Sequence, residues 1–337
     1  MNAIRRDIQS ARMSCILPVF NESAHLASFV SDLYHTLSNL THSVELIIIN
    51  DGSVDQTHTV ITQLLEKYPI RFINFSRNFG KEAAITAGLN AADGDVVLLM
   101  DSDYQHPISL IPEMIAKWQS GVDMVYGVIE DRSEESTIKK LGTNVLYKLI
   151  NLNLDNRFQI PKHAGDFRLM DRQVVMALRQ LPERNRFMKG LYAWVGFTTE
   201  PLYFTPDKRP SGESSYGYRR LAHLAINGIT AFSTFPLYVS VLIGVVISMF
   251  AIAYGIYILF ETGLHGSSVP GWATLVVALM FFSGLQFILI GVLGKYIGQI
   301  FEEVKSRPLY IVESVQHSPL FERTLSAADL EPDSKQS

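Results

Sequence analysis

The chain has 337 residues and a formal net charge of −4, a length that fits one large domain or two smaller ones. Charged residues make up 18% and hydrophobic residues 47% of it, which excludes low-complexity and collagen-like chains, and the slightly acidic balance argues against a nucleic-acid protein held by a dense basic surface. A single cysteine, Cys15, excludes an internal disulfide framework and any cysteine-built zinc site, and points to a reducing compartment.

Residues 1–12 read as an N-terminal leader. Arg5, Arg6 and Asp7 precede no long apolar core, so the segment lacks the pattern of a cleaved signal peptide. Residues 14–19 read as a short buried strand and 22–40 as a helix. A second apolar strand, 44–50, ends in Asp51-Gly52-Ser53, a turn that can cap a helix over 56–68. A third strand is expected over 70–75, a helix over 81–90, and a fourth strand over 96–100, Val-Val-Leu-Leu-Met, with Asp101 at its tip. Strands alternating with helices at this spacing predict βαβ units and a mainly parallel sheet. Beyond residue 125 the pattern becomes irregular, with a helix expected over 138–152.

Toward the C-terminus the character changes. Leu221, Leu224, Ala225, Gly228, Phe232 and Phe235 follow helical spacing, with Arg219, Arg220, His223 and Asn227 on other faces. Residues 216–234 therefore read as an amphipathic helix, suited to a headgroup layer or to packing on a domain. Residues 235–260 and 272–294 hold no Asp, Glu, Lys or Arg. Each is long enough to cross a bilayer core; a pair of buried core helices is the alternative. Lys208, Arg209, Arg219 and Arg220 precede the first run, Lys295, Lys305 and Arg307 follow the second, and the connector 261–271 has neither Lys nor Arg. The positive-inside rule then puts both termini in the cytoplasm and the connector outside. Residues 295–337 form a cytosolic C-terminal segment whose polar end, from Ser326, is expected to be disordered. Small residues at Ser240, Gly244 and Ser248, and at Gly294 and Gly298, permit close helix packing within the chain or between copies.

In an open α/β sheet, ligands bind beyond the carboxyl ends of the strands, where Asn21, Glu22, Asp51, Asp101 and Asp103 gather. The sequence has no G-x-G, no P-loop and no H-E-x-x-H, so the dinucleotide, P-loop and zinc-protease chemistries lack their signatures. In Asp101-Ser102-Asp103, residues i and i+2 of an extended chain face one side. Such an oxygen-only pair suits Mg²⁺ or Mn²⁺ bridging to substrate phosphates; a helix-capping aspartate is the plainer alternative.

Pro18-Val19-Phe20-Asn21-Glu22, Asn50-Asp51-Gly52-Ser53, Ser76-Arg77-Asn78-Phe79-Gly80-Lys81, Asp101-Ser102-Asp103-Tyr104-Gln105 and Gly165-Asp166-Phe167-Arg168 occur in the order seen in family 2 glycosyltransferases. Over residues 13–313 the chain resembles the polyisoprenyl-phosphate members of that family, most closely the bactoprenol (undecaprenyl-phosphate) glucosyltransferases of O-antigen modification. The resemblance implies a GT-A nucleotide-sugar-binding domain over 13–215. It also implies metal-dependent, inverting transfer of a hexose, most simply glucose from UDP-glucose, to undecaprenyl phosphate at the bacterial inner membrane. Carried over, Pro18, Phe20, Glu22 and Asp51 line the base and ribose pocket. Asp101 and Asp103 hold the diphosphate through the metal, with Gln105 nearby and Lys81 toward phosphate. Asp166 is the acceptor-side catalytic carboxylate, or a partner of Arg168 or Arg172. Arg209 and Ser214 resemble the family's R-x-x-G-x-S-K-Y segment, in which Ser215 stands where lysine is common. Arg132 fits the second basic position of an R-x-x-R whose first position is Ile129. Both departures remove a cation from the expected lipid-phosphate grip. A homo-oligomer, a tetramer by family analogy, is also implied. Another UDP-sugar such as UDP-N-acetylglucosamine, a processive synthase, and a catalytically silent nucleotide-sugar binder remain as alternatives.

Overall fold

A computed structural model describes residues 6–129, 164–205, 235–265 and 271–320. The chain divides into two compact units, one holding the sheet and the other the two long apolar helices. The sheet unit contains, in order, β1 (Arg12–Val19), α1 (Leu26–Ser38), β2 (Ser43–Asn50), α2 (Thr57–Leu64), β3 (Ile70–Phe75), α3 (Lys81–Ala91) and β4 (Val96–Leu99). A 3₁₀ turn (Ile108–Leu110), α4 (Ile111–Gln119), β5 (Met124–Ile129), β6 (Ala164–Asp171), α5 (Arg172–Arg179), α6 (Met188–Trp194) and β7 (Thr199–Phe204) follow. The second unit contributes α7 (Phe235–His265) and α8 (Trp272–Lys305), after which β8 (Val312–His317) belongs to the sheet unit again. The expected helices at 138–152 and 216–234, the extreme C-terminal tail, and Arg132, Arg209 and Ser214 lie outside the described residues.

The eight strands run in the order β7-β5-β6-β4-β1-β2-β3-β8. β4, β1, β2 and β3 are mutually parallel, as are β5 and β7. β6 runs antiparallel between β4 and β5, and β8 antiparallel along β3. The central strands are covered on both faces, which is why β2 reads as the unbroken apolar run Leu46–Ile49, all buried. α1 presents Leu26, Phe29, Val30, Leu33 and Leu37 to the sheet at helical spacing. It starts at Leu26 rather than Glu22 because the Glu22 carbonyl first accepts the His25 and Leu26 amides in a separate turn. α2 stops at Leu64, whose carbonyl is taken by Lys67 and Tyr68 in a tight turn.

α3 packs close on the sheet because its buried side chains are small. A Cβ at Gly88 would lie 2.3 Å from Ile16 Cγ2, so glycine sets the approach of this helix to β1. The strand order reverses at β1, whose neighbours are β2 on one side and β4 on the other. Such a reversal opens a crevice beyond the strand ends.

α7 and α8 are both long and apolar enough to be candidate membrane spans, over Val239–Tyr257 and Phe281–Lys305. They expose large apolar side chains such as Phe250 and Phe287. α8 continues past Gly294, where the uncharged run ends, through Glu302 and Glu303 to Lys305.

The leader is tied into the sheet unit. The Arg6 guanidinium donates to the Trp118 and Val122 carbonyls, pairs with Asp123 at 2.6 Å and Asp171 at 3.1 Å, and lies over the Trp118 ring. This knot joins α4, the start of β5 and the end of β6. Arg6→Ala is expected to lower stability by about 2 kcal/mol through the two carboxylates it leaves partly buried. A thermal-unfolding comparison of the two full-length proteins in detergent measures it.

Candidate active site

The site grows from a loop fixed by one buried carboxylate. Asp51 follows β2, and its Oδ1 accepts the amides of Phe79 (2.7 Å) and Gly80 (3.2 Å), with Oδ2 also accepting from Gly80 (2.9 Å). Burial pushes this carboxyl above its ordinary value, while the two amides and Arg77 pull the other way. Beside it, Gly52 has φ +64°, and a Cβ there would lie 2.2 Å from the Arg77 carbonyl carbon. The turn after β2 can therefore lie against the 76–80 loop only with glycine at this position. Gly80, at φ +99°, then turns the chain into α3. Asp51, expected in a base and ribose pocket, holds the loop that begins α3.

That loop delivers Lys81. Its Nζ lies 2.8 Å from Asp101 Oδ1, 2.9 Å from Asp101 Oδ2 and 2.8 Å from Asp166 Oδ2. The two carboxylates meet because β6 is antiparallel to β4. The register that pairs Leu99 with Arg168 continues beyond the strand to set Asp101 opposite Asp166. Asp166 therefore pairs with Lys81, while Arg172 donates to the Gly94 carbonyl. Burial raises the Asp166 carboxyl, but Lys81, with Lys189 and Arg168 behind it, outweighs burial and holds it below the ordinary value. Lys81 loses solvation too, yet the two carboxylates keep its ammonium firmly protonated.

Asp103 Oδ1 accepts the Gln105 amide at 3.1 Å, shaping the turn beyond β4. His106, not singled out from the sequence, belongs to this site. Its Nδ1 accepts the Asp101 amide at 3.1 Å, and Nε2 lies 4.0 Å from Asp101 Oδ2. The ring stacks on Phe167 at 5.0 Å and meets Phe204 edge-on. Burial depresses its pKa, so the neutral ring carries its proton on Nε2, on the carboxylate side. Behind Asp166, the fully buried Arg168 lies between the rings of Tyr126 (5.2 Å) and Tyr192 (4.0 Å). The signal for His106 was its place five residues after Asp101; weighing histidines for metal spacing alone passed over it.

A cavity of about 550 Å³ opens at the tips of β1, β2 and β3. Phe20, 44% exposed, lines it; Pro18, Glu22 and Asp51 do not. Pro18 pairs with Ile49 inside the sheet, and the Glu22 amide donates to Thr57 Oγ1. Among the described residues no three His, Cys, Asp or Glu side chains form a closed metal site. Asp101 and Asp103 offer two carboxylates and no soft ligand. This composition fits Mg²⁺ or Mn²⁺, which take one or two carboxylates and complete their shell with phosphate oxygens and water.

The site thus sits at the crevice between β1 and β4, with acidic groups at the β4 tip and a carboxylate from the adjoining antiparallel strand. The family model described as Glycosyl transferase family 2 matches residues 14–179. An uncharacterized glycosyltransferase of Synechocystis is 41% identical over 307 residues, covering 90% of this chain and 95% of that one. A prophage bactoprenol glucosyl transferase homolog of Escherichia coli is 40% identical over 306 residues (90% and 99%). A prophage-derived bactoprenol glucosyl transferase of Shigella flexneri is 42% identical over 306 residues (90% and 97%). Among solved structures, glucosyl-3-phosphoglycerate synthase of Mycobacterium tuberculosis, in complex with Mn²⁺, UDP and phosphoglyceric acid, shows a distant likeness. It has a TM-score of 0.47 and 18% identity over 65% of this chain and 76% of that one. The chain belongs to glycosyltransferase family 2 and has its GT-A type of α/β fold.

Next to Lys81, Glu82 is pushed up to about 7, by burial first and by the Asp166 charge second. A carboxyl whose folded pKa exceeds its unfolded value favours the folded state most below the unfolded value, and that advantage is lost as pH rises through about 7. Glu82→Gln is accordingly expected to gain thermal stability relative to wild type between pH 5 and pH 8, a trend that paired unfolding scans across that range measure.

Proposed function

We propose that the chain transfers a glucosyl group from UDP-glucose to undecaprenyl phosphate at the cytoplasmic face of a bacterial inner membrane, supplying a lipid-linked sugar for envelope or O-antigen glycosylation. The observation that carries this reading is the convergence of Asp101, Lys81 and Asp166 at one sheet edge. It occurs in a chain alike, over 90% of its length, to bactoprenol glucosyl transferases. α7 and α8 anchor the chain, and the flanking Lys and Arg residues orient it with both termini in the cytoplasm. Arg132, Arg209 and Ser214 are our proposed contacts to the lipid phosphate.

In this reading a phosphate oxygen of the lipid attacks the anomeric carbon as the bond from that carbon to the nucleotide diphosphate breaks, inverting the centre. Asp101 and Asp103 would hold a divalent cation, which would supply positive charge toward the departing diphosphate. Lys81, held between Asp101 and Asp166, adds a fixed ammonium to the site. His106 braces the Asp101 backbone through Nδ1, so the carboxylate keeps its aim. Asp166 stays ionised at neutral pH and therefore serves as an acceptor, not a proton donor. A phosphate monoester has its second pKa near about 6 and is mostly dianionic at pH 7, so the attacking oxygen requires little deprotonation. The work of Asp166 is to hold Lys81 and to orient the acceptor.

The test is transfer of radiolabelled sugar from a panel of sugar nucleotides to undecaprenyl phosphate by the purified full-length protein with Mg²⁺ or Mn²⁺. A single-glucose lipid from UDP-glucose is expected; another preferred donor, a polymer, or binding without turnover overturns the assignment. Asp166→Asn is expected to lower kcat by about 10²-fold or more, the range seen when one preorganised electrostatic group is removed, while UDP-glucose still binds. Near wild-type turnover removes Asp166 from the catalytic set.

A further inference from the structure

The cavity at the tips of β1, β2 and β3 has one wall from a distant part of the sequence. Glu313 lies on β8, the strand that follows α8, well outside the segment matched by the family model. Its Oε2 accepts from Asn74 Nδ2 on β3 at 2.7 Å. Asn74 Oδ1 accepts from Asn50 Nδ2 on β2 at 2.7 Å, and Asn50 Oδ1 accepts the Ser53 amide at 3.1 Å. Ser53 Oγ in turn accepts the Asn21 amide at 2.9 Å, beside Phe20. A carboxylate can only accept, so it fixes the first amide with its NH₂ group toward β8, and each later amide follows in the same sense. Asn50 and Asn74 are both buried, and reversing either would set like atoms against each other at a high cost. Glu313 thus sets the hydrogen-bond polarity of the whole cavity wall.

The same cavity is lined by the exposed Phe20 ring and by Arg77. An aromatic face and an acceptor edge in about 550 Å³ suit a planar base carrying a ring N–H, such as the N3–H of uracil or the N1–H of guanine. Glu313 Oε1 has no hydrogen-bond partner among the described residues, which leaves an anionic acceptor at the rim. We propose that Glu313 completes the base pocket of the sugar-nucleotide site, accepting a ring N–H of the base. The strand after the second apolar helix is thereby part of donor recognition. This rests on the nucleotide-sugar reading of the site and adds a residue to it.

Calorimetric titration of the full-length protein with UDP and, separately, with pyrophosphate, both with Mg²⁺, tests the proposal. Glu313→Ala is expected to weaken UDP about tenfold, the scale of one hydrogen bond to a charged group, and to leave pyrophosphate unchanged. Glu313→Gln, which can still accept from Asn74 but then turns its NH₂ group toward the ring N–H, is expected to keep the fold and to lose UDP affinity about as Glu313→Ala does. In turnover, Glu313→Ala raises the donor KM and spares kcat. Unchanged UDP affinity overturns the proposal, and so does an equal loss for UDP and pyrophosphate, which marks a defect of the fold. If wild type binds pyrophosphate but no uridine nucleotide, the UDP assignment falls. Glu313 is then scored on GDP, whose base carries a ring N–H: a tenfold loss upholds its role, and either no loss or a preference for ADP or CDP, whose bases have no ring N–H, overturns it.

Discussion

Everything at the reactive end of this protein depends on one antiparallel strand in an otherwise parallel neighbourhood. By running against β4, β6 brings its first residues to the edge where β4 ends, and two carboxylates from remote parts of the chain come face to face. Left alone, such a pair would repel and one member would take up a proton. The ammonium of Lys81 lies between them, offsets that repulsion and holds the Asp166 carboxyl below its ordinary value. Its position is inherited, in turn, from the buried carboxylate of Asp51, which holds the two amides that precede α3. The acidic site is thus built backward from a backbone contact, and the charges it displays are the visible end of that chain of constraints.

The opposite end of the sheet uses the same chemistry to a different purpose. Arg6, Asp123, Asp171 and the Trp118 indole form a knot of complementary charges and hydrogen bonds where the parallel strands begin. A cavity of about 960 Å³ lies beside it, lined in part by Arg6, Trp118 and Asp171. At this end the acidic groups close on an arginine, while at the other they gather around Lys81.

Much of this was legible in the sequence, for physical reasons. Central strands of a parallel sheet must be apolar throughout, so Leu46–Ile49 and Val96–Leu99 announce themselves, and the polar residues at their tips mark the crevice. What the sequence concealed depends on contacts between distant segments. The partnership of Asp166 with Lys81 follows from strand pairing that no local pattern encodes. β8 is an edge strand whose residues, Val312–His317, are largely exposed and mix polar with apolar, so no period distinguishes it from a loop. His106 owes its place to stacking on Phe167 and to one accepted amide, which the sequence registers only as its position five residues after Asp101. Pro18 and Glu22 keep the family's sequence order, and the structure places Pro18 in the β1–β2 register and the Glu22 amide on Thr57.

The return of β8 to the sheet also changes what counts as the catalytic domain. Its boundary cannot be drawn as a single cut, because a chain ended before the apolar helices would lose the strand that covers β3. The exposed row of amides and carbonyls along β3 would then be open to pairing with another copy. The two helices are therefore an insertion within the folded unit as much as an appendage to it, and a soluble version must rejoin the two sides of the gap.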